Sequence, residues 1–415
     1  MIALAKSNTR IKGQTLILMV GVLLLVSMLL FAVTDMGKHA RRQWYLQSVA
    51  DNAAYSAAVA MSRQMNFLAL TNRALIGNQI AIAQWVGLAS YMSMLDRTAD
   101  NLETVTSFIP YIGQITRVLS TILDRVEEGY QQLARVLIRF QSAVIQGISA
   151  AQRLLDASFV LELPLLIQDI VSKHSGDLSW EAYQGGGVVP FPTLWWRKTE
   201  VRKTSNERQS KELEELTLKS LDPFSKSRGY NWIDVFTHKI IKRGGTELSR
   251  NRNGGWDWHA LDSVSLHGRK WFVGSYREQL PLGWGAKAQQ QRRYHRSGYG
   301  AAFQSNSMSS RLGLAQMESF NVRQKSFDYM RLRNLNEFGD NTVLISIRNG
   351  GEQVAHAKAI SEFSRPNAIF PRKDDRHEVE NLFNALWEPQ LMPLSNLDKG
   401  AISGREEIWK RSGGY

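Results

Sequence analysis

Hydrophobic positions run almost without interruption from residue 16 to residue 33, and no charged residue lies between positions 14 and 33. As a helix, this segment of about twenty residues would span roughly 30 Å, the thickness of the hydrocarbon core of a bilayer. It is longer than the apolar core of a typical secretory signal, and no small-x-small cleavage site follows it. The pattern therefore predicts one retained transmembrane helix, with residues 1–37 as a short cytoplasmic stub and anchor.

Positive charges flank the predicted span on both sides, so their distribution does not set its orientation. They are Lys6, Arg10 and Lys12 before it, and Lys38, Arg41 and Arg42 after it. The short N-terminal stub favours a single-pass arrangement with the stub inside and the bulk of the chain exported.

Small residues follow the anchor at helical spacing. Helix-forming residues dominate from 38 to 107, and Ala50, Ala54 and Ala57 fall on one stripe. Small side chains in that pattern allow another helix to approach closely. We predict that the stripe packs against a helix of this chain or of a partner, with Gln47 and Asp51 beside the contact.

Residues 74–95 carry no charge and are long enough for a second span, which stays an alternative. Their polar side chains would be costly in lipid, so a helix buried in a bundle or against other subunits is favoured. These polar residues are Asn78, Gln79, Gln84, Ser90 and Ser93.

After a break at 110–113 the helical pattern resumes. Apolar residues from Ile115 to Ile148 recur every three or four positions, with charged residues on the other face. This pattern predicts an amphipathic helix that folds back on the preceding one, so that residues 38–175 form a helical hairpin. A long coiled-coil contact with another subunit is the alternative.

The rest of the chain lacks this period. Residues 1–176 carry 15 Lys and Arg against 11 Asp and Glu, and residues 177–415 carry 36 against 27. Ten of the twelve tryptophans lie at or beyond Trp180. We therefore predict a basic, Trp-rich α+β domain over residues 176–415. Extended segments are predicted at 188–192, 268–276, 342–347 and 355–359, helices at 207–219 and 378–386, and a mobile loop at 287–310.

Few residues suggest catalysis. The chain has no cysteine, no Gly-x-Ser-x-Gly elbow, no Walker A string and no His-Glu-x-x-His pair. The glycines at 244–245 and 254–255 are interpreted as turns. The stretch 256–267, with His259, Asp262 and His267, could bind a transition metal, but a Trp-rich turn with a core histidine is favoured. We predict no catalytic residue, cofactor or metal.

Four features in order mark a family resemblance. They are Gly13-Gln14, the apolar span, Asp35-x-Gly37, and Gln47-x-x-Ala50-Asp51-x-Ala53-Ala54. Over its first 60 or so residues the chain resembles TadE/TadG-like Flp (tight-adherence) pilus-assembly proteins. The resemblance implies an inner-membrane protein with its bulk in the periplasm, beside a type IV-like pilus machine. Other pilus-assembly proteins and a homo-oligomer through the N-terminal helices are the partners it suggests.

Two departures from the family pattern matter. Prepilin peptidase cuts after a glycine, and pilins of this system commonly have glutamate fifth in the mature chain; after Gly13 the fifth residue is Leu18. We therefore expect no processing at Gly13-Gln14. Some TadG-like proteins also carry a von Willebrand A domain with an Asp-x-Ser-x-Ser metal string. The nearest string here begins at Asp262 and has the wrong spacing, so no such domain is expected.

The sequence as a whole predicts a membrane-anchored α+β protein, with one N-terminal transmembrane helix, a helical hairpin and a periplasmic head. Its predicted role is non-enzymatic, pseudopilin-like help in Flp/Tad-type pilus assembly. A membrane-tethered module that binds acidic polymer or nucleic acid is the alternative, because cations and aromatic residues mix at 195–198 and 292–296. Charges of both signs cover the region, so nucleic acid is disfavoured.

Overall fold

The computed structural model describes residues 14–106, 112–235, 237–251, 253–269, 274–290, 305–333, 339–350, 353–366, 369–372, 374, 376 and 378–411. It combines helices and sheets, which confirms the mixed α and β class. Among these residues, one helix is long and apolar enough, by length and composition, to cross a membrane.

Two long helices form the framework, α1 (Gln14–Thr106) and α2 (Ile112–His174). They pack antiparallel, and side-chain contacts join them near both ends of α2. The Tyr45 hydroxyl donates to the His174 carbonyl at 2.9 Å, and Arg117 pairs with Glu103 at 3.0 Å. The predicted helical hairpin is therefore present.

The strands in the described part of the chain are β1 (Leu178–Gln184), β2 (Val189–Pro190), β3 (Thr199–Lys203), β4 (Tyr230–Val235), β5 (His238–Arg250), β6 (Trp256–Gly268), β7 (Arg277–Ala288), β8 (Glu318–Ser319), β9 (Asp328–Leu332), β10 (Thr342–Asn349), β11 (Gln353–Phe363) and β12 (Trp387–Met392). They form three sheets along the hairpin. The first has the strand order β12-β11-β10-β1-β2, the second β4-β5-β6-β7-β8, and the third pairs β3 with β9. Neighbouring strands are antiparallel except β7 and β8. The shorter helices are α3 (Thr193–Lys198), α4 (Glu207–Lys219), α5 (Pro223–Lys226), α6 (Ser307–Ala315) and α7 (Asn396–Arg411).

Helix α1 contributes to both large hydrophobic cores. Its residues between 46 and 68 pack with α2 and the first sheet, and those between 75 and 89 pack with α2 and the second sheet. Each core thus joins side chains from 38–175 with side chains from 176–415. The division into domains at 37 and 175 stays a prediction.

The polar residues in 74–95 bond to the body of the protein. Gln79 accepts from the Trp258 indole at 2.9 Å, Ser90 donates to the Gly285 carbonyl at 3.0 Å, and Gln84 donates to Asp222 at 3.0 Å. This stretch is a continuous part of α1 and is largely buried. A buried helix, rather than a second span, accounts for its composition.

Several predicted elements are confirmed. The helix at 207–219 is α4, and the segments at 342–347 and 355–359 lie within β10 and β11. The segment at 188–192 is extended only at β2. Asn206 caps α4 by accepting from the backbone amides of Arg208 and Gln209, which explains why this helix begins where the charge pattern does.

Other predictions were wrong. The Trp-rich turn at 256–267 is the buried strand β6, and Gly244 and Gly245 lie within β5 rather than in a turn. Gly244 faces Asp262 in the β5–β6 register, and a Cβ there would collide with the Asp262 carboxylate. Gly254 does lie in the connection between these strands and has a φ of +73°.

The predicted helix at 378–386 is also absent, because side chains satisfy its backbone. Asn381 accepts from the amides of Phe383 and Asn384, and Asn72 of α1 donates to the Leu382 carbonyl. The proposed loop at 287–310 is partly wrong, since β7 reaches Ala288 and α6 begins at Ser307; positions 291–304 lie outside the described residues. The segment 268–276 joins β6 to β7, with 270–273 undescribed.

The face of α2 that contacts α1 differs from the predicted one. Ala134, Ile138 and Ile145 are buried, whereas members of the predicted stripe, such as Leu133 and Phe140, are more than half exposed. The expectation that this stripe folds onto α1 was therefore wrong in part. Helix α2 carries a second apolar face that points outward.

Candidate functional site

The N-terminal part of α1 extends away from the body as a single exposed helix. Residues 16–38 are almost entirely exposed, and the large apolar side chains from Leu16 to Val33 are about half to three-quarters exposed. An uncovered apolar surface of this extent is typical of a segment that meets lipid. Its length suffices for a bilayer.

Polar groups in this segment are satisfied within the helix. Ser27 donates to the Leu23 carbonyl at 2.8 Å, and Thr34 donates to the Phe31 carbonyl at 2.9 Å. Such bonds lower the cost of a hydroxyl in an apolar medium. Asp35 and Gly37 lie on the exposed helix just after the apolar run, and a Cβ on Gly37 would meet nothing within 4 Å.

Of the predicted processing pair, Gly13 lies outside the described residues and Gln14 is the first residue of α1. Retention of residues 1–13 stays a prediction.

Gln43 and Gln47 join the exposed helix to the edge of the first sheet. Strand β12 pairs with β11 only from Lys358 onward, and no other strand in the described part of the chain pairs with the earlier part of β11 on that side. The two glutamine amides donate to the carbonyls of Val354 and His356, each at 3.0 Å. They therefore satisfy backbone acceptors that a neighbouring strand would otherwise take.

Asp51 lies one turn after Gln47 and accepts from its amide at 2.9 Å. The Asp51 side chain is half-buried. The structure therefore places these two predicted residues in contact, where α1 enters the body.

The alanine stripe is buried inside this chain. Ala50, Ala54 and Ala57 have no exposed surface and share a core with α2, β10 and β11. Ala54 is on the same helical row as Gln47 and Ser62, both of which bond to β11. A contact between these alanines and a partner would require this core to open; that role stays a prediction.

An ionic cluster that the sequence did not reveal lies in the second sheet. The Asp262 carboxylate accepts two bonds from the Arg228 guanidinium, each 2.9 Å, and one from Lys242 Nζ at 2.5 Å. All three side chains are almost completely buried. Burial raises the pKa of Asp262, but the two cations outweigh it and hold that pKa below its usual range. The three residues are far apart in sequence and belong to no motif.

A second cluster, entirely acidic, lies where α1 and α2 pack near the turn of the hairpin. Carboxylate oxygens of Asp96, Asp100 and Asp124 lie within 4.8 Å of one another. Burial, a hydrogen bond with Asp124 and nearby carboxylates raise the pKa of Asp96 to about 8. Carboxylate oxygens suit a hard cation such as Ca²⁺. With no cation bound, the raised pKa means that the Asp96 carboxyl keeps its proton near neutral pH.

Replacing Asp96 with asparagine tests whether its carboxyl group is protonated in the folded chain. The folded pKa lies above the unfolded one, so between about pH 4 and pH 8 the folded chain binds more protons and its stability falls as pH rises. We expect thermal denaturation to show wild type losing about 1–3 kcal/mol of stability between pH 5 and pH 8, and Asp96→Asn losing far less. Glu128→Gln, on the exposed surface of α2, should keep the wild-type dependence. Equal pH slopes for wild type and Asp96→Asn would contradict the assignment.

The histidines of β6 do not form a metal site with Asp262. His259 bonds to Ser249, and His267 bonds to Asn306 at 2.8 Å. Asp262 bonds instead to Arg228 and Lys242. His259, Asp262 and His267, which the sequence offered as possible metal ligands, therefore lie on one strand but bond to different partners.

Comparison with known proteins gives one match. Residues 13–60 match the profile of Tad, the Flp pilus-assembly TadE/G-like family. No curated protein and no solved structure matches the chain. The matched residues cover the exposed apolar helix and its entry into the first core. The N-terminal part of this chain is similar to the TadE/G-like Flp pilus-assembly family, which indicates involvement in Flp pilus assembly.

Proposed function

We propose that this chain is a single-span inner-membrane protein that assists assembly of a Flp/Tad-type pilus without catalysing a reaction. The continuity of α1 carries the proposal. One uninterrupted helix runs from an exposed apolar segment into the centre of both large cores. The family match covers the part of α1 where these two environments meet.

The geometry of α1 links the anchor to the body mechanically. No described residue between 14 and 106 leaves the helical conformation. Gln43, Gln47 and Asn66 bond to the first sheet, and Asn72 bonds to the carbonyls of Met330 and Leu382. The body therefore moves with its anchor. Such a protein suits a role in positioning other membrane-anchored helices of the pilus machine.

A non-enzymatic role agrees with the chemistry of the site. Gln43, Gln47, Asn72 and Ser90 of α1 all donate to backbone carbonyls of the same chain. The buried cluster of Arg228, Lys242 and Asp262 is satisfied internally. These contacts are those of a packed scaffold, and we assign function to surfaces rather than to a reactive group.

Reporter fusions test the membrane placement. We expect fusions at Gly113 and at Gly185 both to report a periplasmic location, because a single span at 14–33 precedes both. Cytoplasmic signals at both positions would overturn the single-span topology or its orientation, and opposite signals would require a second span between the two sites.

Pilus counts test the role. A host strain without this chain should lose surface Flp-type pili in electron micrographs, and the full-length chain should restore them. A variant lacking residues 14–33 should accumulate but not restore pili, because its body is no longer held at the membrane. Full piliation in the deletion strain would overturn the proposal.

A further inference from the structure

Helix α2 has an exposed apolar face opposite the one that packs on α1. Seven large side chains on it are between 47% and 73% exposed. They are Ile122, Val126, Leu133, Val136, Phe140, Leu154 and Leu161. Because the buried face of α2 is also apolar, packing on α1 alone does not explain this composition.

The exposed face follows a seven-residue repeat. One row contains Val126, Leu133, Phe140, Gly147, Leu154 and Leu161, each seven positions after the last. The second row contains Ile122, Gly129, Val136, Ala143, Ala150 and Ala157, again at intervals of seven. All twelve positions are uncharged and exposed. We call these two rows the α2 seam. This spacing is the one that lets helices pair side by side along a left-handed supercoil.

The α2 seam is large enough for a stable contact. It extends over 122–161, about 60 Å of helix. With roughly 100 Å² exposed on each large side chain, it offers on the order of 700 Å², close to the roughly 800 Å² per partner of a standard interface. The largest apolar patch of an ordinary monomer is about 300–600 Å².

We propose that the α2 seam binds the α2 seam of a second copy of this chain, with the two helices parallel and in register. The inference rests on the proposed function for one point, the common membrane. Copies anchored in one bilayer by α1 have their α2 helices pointing the same way, since α2 is antiparallel to α1 in each. Identical positions of the seam then meet.

Charges beside the seam support the parallel arrangement. Arg139 lies one position before Phe140, and in a parallel pair it faces Val144 of the second copy, which is uncharged. In an antiparallel pair centred on residue 146, the midpoint between the two positions, Arg139 would face Arg153 of the second copy. Both arginines are exposed on the surface of this chain, and Arg153 also pairs with Asp328 at 3.2 Å. Two arginines placed face to face repel each other and oppose antiparallel pairing in this register, whereas Arg139 faces an uncharged residue in the parallel pair.

Single cysteines test the contact, because the chain has none of its own. Leu133→Cys and Leu161→Cys should each form a disulfide-linked homodimer in native membranes under mild oxidation. In a parallel pair each residue meets its own copy within the roughly 4.4–6.8 Å Cα separation that a disulfide requires. Glu162→Cys is the matched control, since it is exposed but turned about 100° from Leu161. We expect about tenfold more dimer for Leu161→Cys than for Glu162→Cys.

Three results would overturn the proposal. Equal dimer yields for Leu161→Cys and Glu162→Cys would mean random collision. Dimers only when Leu133→Cys and Leu161→Cys are mixed would mean an antiparallel pair. A cross-linked product of another mass would mean that a different protein occupies the seam. The gel measures dimerisation, whereas pilus counts measure the proposed function. If no dimer forms but pili still depend on this chain, the proposed function stands and the seam contact is rejected. If the dimer forms but pili do not depend on this chain, only the proposed function is rejected.

Discussion

Asp262→Ala is expected to lower the free energy of unfolding by about 3–5 kcal/mol, the cost of removing one partner from a buried ion pair. The change leaves Arg228 and Lys242 buried with no anion between them. Arg228 would keep its bonds to the Thr246 hydroxyl and the Gly245 carbonyl, but neither neutralises its charge. Thermal or chemical denaturation of the full-length protein in detergent measures the loss. Asp177→Ala, at an exposed position, should stay within about 0.5 kcal/mol of wild type.

The pH dependence of this variant provides a second check. The pKa of Asp262 is lower in the folded chain than in the unfolded one, so its contribution is present above the unfolded pKa and is lost as pH falls through the folded pKa. Wild type should therefore approach Asp262→Ala in stability in strong acid. A variant as stable as wild type at pH 7 would mean that the cluster does not form.

Ala54→Leu combined with Ala57→Leu is expected to be the other strongly destabilising change. Both alanines are completely buried between α1, α2 and the first sheet, and overpacking costs about 1–3 kcal/mol per site. The first sheet offers little room, because β11 also presents alanines there, at positions 355, 357 and 359. Melting temperature and steady-state protein level measure the effect.

Ala40→Leu is the control for the added bulk, since Ala40 lies on the exposed part of the same helix. It should leave the melting temperature unchanged. An undisturbed double variant would place the stripe outside the core. A double variant that folds normally but fails to restore pili would instead support a partner contact at these alanines.

The spacing of apolar and polar residues predicted the helices, whose backbone hydrogen bonds form within one continuous segment. Both long helices, and α4 with its Asn206 cap, depend on short-range spacing that the sequence displays. The polar residues in 74–95 also indicated burial in protein rather than lipid, and Gln79 and Ser90 bond to the body as that interpretation requires. Strand β6 was missed because both its faces are buried, so it shows no alternation of polar and apolar residues.

The sequence by itself determined the apolar helix at 14–33, the hairpin that follows, and the mixed class of the remainder, because each depends on composition and period along a continuous segment. Only the tertiary structure decided which faces are covered. It buried Ala50, Ala54 and Ala57 within this chain, brought Arg228, Lys242 and Asp262 together, and left the α2 seam exposed. Periodicity shows that a helix has an apolar face but not what meets it. That contact depends on residues tens to hundreds of positions away, whose packing must satisfy every buried polar group at once.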